Sequence, residues 1–285
     1  MNKTLLKKLP VLFIFLNLSL HISFAQLPDG TQATNSFINI LLSNLSKENA
    51  LKFDTSSVDF SVNLSIVTYV VKDSSGNLNI DLPSVSQSIA VANSYFKYAG
   101  IKFSLKEINY VGDYHYSYLN LDKKPTELLV KHSTANTINL YLVDEIVIDT
   151  IPYYGVSYFP DDTLSYYIFL RKNFVSGSYL SCMLGHFFGL LSTHENKNGR
   201  ELVSEANCST TGDLICDTYA DPNIFGLVDS KCLYSGTAKD PASHFYVPSV
   251  ANLMSNAPGE CRCIFTLQQY RRMFYYCKKF RQYLR

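Results

Sequence analysis

The chain contains no tryptophan, no C-x-x-C pair and no basic excess, and each absence removes a class of function. Without paired C-x-x-C ligands a structural zinc ribbon has nothing to hold its metal. No apolar stretch approaches the roughly 18 residues that a membrane-spanning helix needs, because the longest candidate, V-L-F-I-F-L from Val11 to Leu16, is broken by Asn17. The 25 basic and 24 acidic residues nearly cancel, so there is no surplus of cations to neutralise nucleic-acid phosphates. What remains is a 285-residue chain with 47% hydrophobic and 17% charged residues, rich in Tyr (21) and Phe (18). That composition belongs to a folded chain with ample material for a buried core.

The first residues carry Lys3, Lys7 and Lys8, then the short apolar run, then Ser23 and Ala25 at the small-residue positions of a cleavage site. This is the layout of a secretory signal peptide cut after Ala25, which predicts a secreted or periplasmic protein with no membrane span. No cysteine follows the cut, so a lipid anchor is not supported. Loss of those three lysines leaves 22 basic against 24 acidic residues, a net charge of −2. All seven cysteines lie between 182 and 277, and in an exported chain such clustering predicts disulfides.

Residues 26–57 read as a polar leader containing S-F-I-N-I-L-L-S-N-L, either a short pro-segment or an N-terminal helix. Strand signals follow at 61–71, 101–111, 137–143, 155–159 and 165–170. Between the first two, Ser84 and Gln87 suggest a capping box for a helix that buries Ile89, Ala92, Tyr95, Phe96 and Ala99 and ends at Gly100. Strands alternating with helices predict a mixed α/β sheet. Ser178 is the expected cap of a further helix. Residues 196–264 read as irregular and disulfide-held, and Thr266 with Gln269 should cap a C-terminal helix whose basic residues crowd its end.

The chemistry concentrates in L-S-C-M-L-G-H-F-F-G-L-L-S-T-H-E, from Leu180 to Glu195. Its spacing is that of H-E-x-x-H-x-x-G-x-x-H, in which two His at i and i+4 share one helix face and a third follows a glycine turn. The Glu of that motif activates a metal-bound water. Here Cys182 stands at the first ligand position, Met183 at the general base, His186 at the second ligand, Gly189 at the turn and Ser192 at the third ligand. Downstream, G-D-L-I-C-D-T (212–218) and N-L-M-S-N (252–256) place an acidic loop and a methionine in a tight turn.

Together these residues resemble the pappalysin family, metzincin peptidases similar to pregnancy-associated plasma protein A, most strongly from Leu180 to Met273. The resemblance implies a metallopeptidase domain over 58–285, with an upper sheet subdomain to about 191, an active-site helix, and a lower, disulfide-held subdomain over 192–285 ending in a C-terminal helix. It implies zinc at His186 in the family, Met254 beneath the metal, and a peptide or protein as the ligand class. It also implies calcium as a possible second ion, with Asp213, Asp217 and Thr218 as oxygen ligands; the alternative is that these acids cap turns. Finally, it implies that Cys208 and Cys216 pair with Cys232 and Cys261 in some order, with a further Cys263–Cys277 bridge leaving Cys182 as the odd thiol.

Three readings of the altered motif follow. In the first the chain is a pseudopeptidase, with zinc absent or weakly bound: a thioether at Met183 neither accepts a proton nor polarises water. In the second Cys182, His186 and His194 form a rewired zinc site with Glu195 as base. In the third Cys182 is a nucleophile and His186 its base, a pairing that burial of the thiol would disfavour.

Overall fold

The computed structural model describes residues 26–51, 62–160 and 166–284; the signal-peptide reading lies outside them. The chain opens with an extended segment and then α1 (Asn35–Asn49), capped by Thr34 Oγ1, which accepts from Phe37 N at 3.0 Å. Within the expected leader, a helix thus spans Asn35–Asn49. It buries Phe37, Ile38 and Leu41, spaced at i, i+1 and i+4 as an amphipathic helix requires.

The five strands expected from alternation all form. They are β1 (Val62–Val71), β2 (Ile101–Val111), β4 (Ile138–Val143), β7 (Gly155–Ser157) and β8 (Tyr167–Arg171), joined in the order β2-β1-β4-β8-β7. Four run parallel and β7 pairs antiparallel with β8 at the edge. A three-stranded sheet, β3 (Tyr118–Asn120), β5 (Glu145–Ile148) and β6 (Ile151–Pro152), sits beside it. These strands are two to four residues long, too short to leave a readable alternation.

The parallel sheet is covered on both sides at its centre, which is why β4 and β8 are buried along almost their whole length, while the edge strand β2 leaves Lys102, Lys106 and Glu107 exposed. One face packs α2 (Leu82–Phe96) and α4 (Gly177–Phe187), enclosing Leu64, Ile66, Ile89, Phe96, Leu140, Leu170 and Leu184. The other packs α3 (Thr126–Lys131) and the small sheet around Val67, Tyr69, Tyr141, Ile146 and Phe169. Each such side chain stabilises the fold by roughly 1.5–3 kcal/mol.

Two helix starts differ from expectation. Asp81 precedes α2, and Ser84 Oγ donates back to the Asp81 carbonyl; proline at position 83 already supplies the fixed φ of a first turn. Ser176, not Ser178, precedes α4, and Ser178 Oγ donates instead to Gly259 O at 2.6 Å, tying the helix to the lower subdomain. Gly100 ends the α2 region with φ 64°. The capping box of Thr266 and Gln269 on α5 (Leu267–Phe280) forms in full.

The lower subdomain carries two disulfides, Cys208–Cys216 and Cys232–Cys261. Each couples near neighbours within one pair of the expected four cysteines, rather than crossing between the pairs. Cys263 is exposed and Cys277 is buried in α5, and among the described residues no disulfide joins them across the terminal helix. Instead α1 packs on α5: Phe37 stacks on Phe159 at 4.4 Å and meets Tyr276 edge-on at 6.0 Å.

Candidate metal-centre cleft

Helix α4 brings Cys182 and His186 to one face, with Sγ 3.9 Å from Nε2 and both residues buried. His186 donates from Nδ1 to the Leu190 carbonyl at 2.7 Å, which fixes the ring and aims Nε2 into the site. Gly189 takes φ 91° in the turn that follows, and Tyr276 fills the space where a side chain would stand. Met254 lies under the helix: a Cβ added to Gly185 would come within 2.6 Å of its sulfur. The helix, the glycine turn and Met254 thus pack together.

The third partner at His186 comes from the opposite end of the sequence. Asp29 forms an ion pair with His186 Nε2 through Oδ2, and its Oδ1 accepts from Thr31 N at 2.7 Å. Asp29 is held there because residues 28–31 run beside the edge strand β7: Gly30 N donates to Gly155 O at 3.0 Å, Tyr154 N to Pro28 O at 3.1 Å, and Ser157 N to Thr31 Oγ1 at 3.0 Å. Gln26 adds a bond from Nε2 to Asn256 O at 2.6 Å, across the cleft to the residues beyond Met254.

The charges respond accordingly. Burial pushes the His186 ring toward neutrality, but the Asp29 carboxylate overcomes it and raises the imidazole to about 10. Burial likewise opposes ionisation of Asp29, yet the His186 charge and the Thr31 amide hold its carboxyl below the usual range. The side chains form a closed imidazolium–carboxylate pair with a thiol against it.

The other motif positions stand apart from this cluster. Met183 is fully buried, its sulfur facing Gly155 of β7, where an added Cβ would meet it at 2.9 Å. Ser192 caps a turn, its carbonyl accepting from Glu195 N at 2.9 Å. His194 does not converge with Cys182 and His186: it pairs with Asn256 Nδ2 at 3.2 Å, and the group of metal-capable atoms within 4.8 Å of one another is Asp29, Cys182 and His186. Burial lowers the His194 pKa, while Asp221 pulls it back up. Glu195 accepts from the Asn196 and Lys197 amides and is committed to its own turn.

A second group of acids lies nearby. Asp213 is buried with Oδ1 accepting from Ile215 N and Thr218 Oγ1, while Oδ2 has no hydrogen-bond partner. Glu201, 4% exposed, has neither carboxylate oxygen hydrogen-bonded, and a Cβ on Gly212 would come within 2.5 Å of its Oε2. Burial, reinforced by Asp213, raises Glu201 to about 8; burial raises Asp213 to about 7 despite Arg272. Orphaned buried carboxylate oxygens are the donors a hard cation such as calcium takes. Asp217 faces elsewhere: it accepts from Thr266 Oγ1 and Gln268 N, capping α5. Glu201 also lines a cavity of about 110 Å³ with His194, Asp221, Arg200, Lys239 and Tyr246.

Sequence reasoning missed Asp29 and Glu201. Neither lies in a spaced motif, and the L-P-D-G-T stretch around Asp29 reads locally as a turn.

No protein-family model and no curated protein matches the sequence. Among solved structures the chain is similar to mature mirolysin of Tannerella forsythia in complex with a cleaved peptide, with a TM-score of 0.54 and 17% identity over 76% of this chain and 91% of that one. Mirolysin in complex with compound 9 gives the same values. Metalloproteinase-II from Bacteroides fragilis matches at 14% identity over 64% and 56% of the two chains, with a TM-score of 0.27. The likeness to mirolysin shows that this chain shares that protein's fold.

Proposed function

We propose that this is an exported protein of pappalysin type that has kept the peptidase fold and lost hydrolysis, and whose role is binding. The observation that carries the reading is the seat of Asp29 on His186. The chain's own residues 28–31 occupy the strand-edge position beside β7, where an extended peptide would add to the sheet, and they close the cleft over the histidine.

Three further features agree. Met183 offers a buried thioether where the family's base would be, and loss of a general base alone slows such chemistry by about 100- to 10,000-fold. The buried Cys182 shares Nε2 of His186 with a carboxylate, so it has neither the exposure nor the free base that a nucleophile needs. The rewired set built on His194 gains no support, since that ring bonds Asn256.

Residues 26–49 belong to the working protein in this reading. Helix α1 buries Glu48 against Arg272, and its removal would strip Phe37, Ile38 and Leu41 from a shared core. Glu201, Asp213 and Thr218 fit a calcium ion that would hold the irregular lower subdomain; Asp217 is outside that set. Mirolysin is known bound to a cleaved peptide, which makes a peptide or protein the first ligand class to test.

The test is a digestion assay of the purified protein with casein and a mixed peptide library, with calcium and with zinc added. No cleavage above that of the His186→Ala variant is expected. Cleavage that His186→Ala abolishes would sink the proposal.

A further inference from the structure

We propose that Asp29, Cys182 and His186 form a closed zinc-class metal site in which the N-terminal segment contributes one of three protein ligands and is thereby clamped to helix α4. The proposal rests on the preceding reading only in requiring that residues 26–31 stay with the mature chain.

The geometry points there on three counts. One oxygen, one sulfur and one nitrogen, from two segments 153 or more residues apart, lie within 4.8 Å of one another. His186 has its Nδ1 occupied by the Leu190 carbonyl, which leaves Nε2 as the inward donor, the arrangement in which a carbonyl orients a metal-bound imidazole. Asp29 is placed by backbone bonds to β7 rather than by its own side chain alone, so its position does not depend on the ion pair.

The donor set selects the ion. Carboxylate, thiolate and imidazole together suit zinc or cobalt, while calcium and magnesium prefer oxygen alone. The set occupies two positions of a three-histidine centre, with a thiolate at Cys182 and the imidazole at His186, and its Asp29 ligand comes from the strap that shuts the cleft.

The experiment is a cobalt(II) titration of the purified exported protein after chelation, with excess calcium present to occupy oxygen-only sites. One equivalent should bind with a sulfur-to-cobalt charge-transfer absorption, zinc should displace it, and either metal should raise the melting temperature. Cys182→Ser should lose the charge-transfer absorption, Asp29→Asn should weaken binding by roughly 10-fold or more, and His194→Ala should bind as the parent does. Substoichiometric binding by the parent, or binding without the sulfur absorption, would overturn the site and needs no variant to fold. So would full affinity in a folded Asp29→Asn protein, or loss of binding in His194→Ala. The same samples are assayed on casein: metal bound without cleavage supports both proposals, cleavage by the loaded protein defeats the non-hydrolytic reading alone, and absence of metal defeats this one alone.

Discussion

Glu48 Oε2 and Arg272 Nε meet at 3.1 Å in the interior, although 224 residues separate them. The same guanidinium donates to the carbonyls of Asp213 at 2.8 Å and Leu214 at 2.6 Å, so one buried side chain joins α1, α5 and the acidic loop. Removing one partner of a buried pair leaves the other charge uncompensated, at about 3–5 kcal/mol. Glu48→Ala should therefore lower the unfolding free energy by that amount, read as a lower urea midpoint, and a chain beginning after Asn49 should not fold cooperatively. Urea unfolding followed by circular dichroism decides both.

Asp213 and Glu201 give the chelated protein a definite pH dependence. Both folded-state values, about 7 and about 8, lie above the ordinary carboxyl range, mainly through burial. The folded state therefore favours their protonated forms. Their stabilising contribution is full below the unfolded value near pH 4 and is lost as pH rises through about 7 to 8. In EDTA the melting temperature should drop between about pH 5.5 and 8.5, and calcium should reverse most of the drop. Glu201→Gln should raise the chelated value at the higher pH and blunt the calcium response.

Restoring the motif letters should not restore a peptidase. Met183 is packed against β7, so Met183→Glu places an unpaired carboxylate in the core, at about 3–5 kcal/mol. Met183→Leu keeps the volume and should cost less than about 1.5 kcal/mol. Calorimetry of the two variants, with casein digestion by Cys182→His/Met183→Glu/Ser192→His, tests this; a stable triple variant that cleaves would contradict it.

The disulfides differ in the loops they close. Cys232–Cys261 spans 29 residues and Cys208–Cys216 spans 8, so chain entropy assigns them about 3.5 and about 2.5 kcal/mol. Replacing the longer pair by alanines should lower the denaturation midpoint more. In the native protein a thiol reagent should label Cys263 alone, and after unfolding it should also label Cys182 and Cys277.

The five strands of the main sheet were legible because apolar runs and alternation are local properties, and the capping box at Thr266 and Gln269 is a contact three residues long. The register of Cys182, His186, Gly189 and Met254 was legible for a similar reason: a motif's spacing fixes where side chains stand on a helix. Asp29 was not, because its partner is 157 residues away and a carboxylate in L-P-D-G-T carries no mark of burial. The disulfide pairing also lay beyond sequence, since four cysteines are compatible with several connectivities and only the path of the irregular chain chooses between them. Asp217 shows the converse: the resemblance implied an ion ligand, and its carboxylate accepts instead from the Gln268 amide at the start of α5.

The bond from Gln26 to Asn256 bridges 230 residues, and those from Asn44 to Tyr275 and Lys279 bridge 231 and 235. In kinetic terms the cleft is a late structure. The parallel sheet and its helices can assemble from the middle of the chain, but the segment carrying Asp29 has no docked helix α1 to follow until α5, at the far end, is in place. A chain interrupted before its last twenty residues would expose Phe37, Ile38 and Leu41 together, and slow closure of such distant contacts should leave the newly made chain open to proteolysis around α1 and α5.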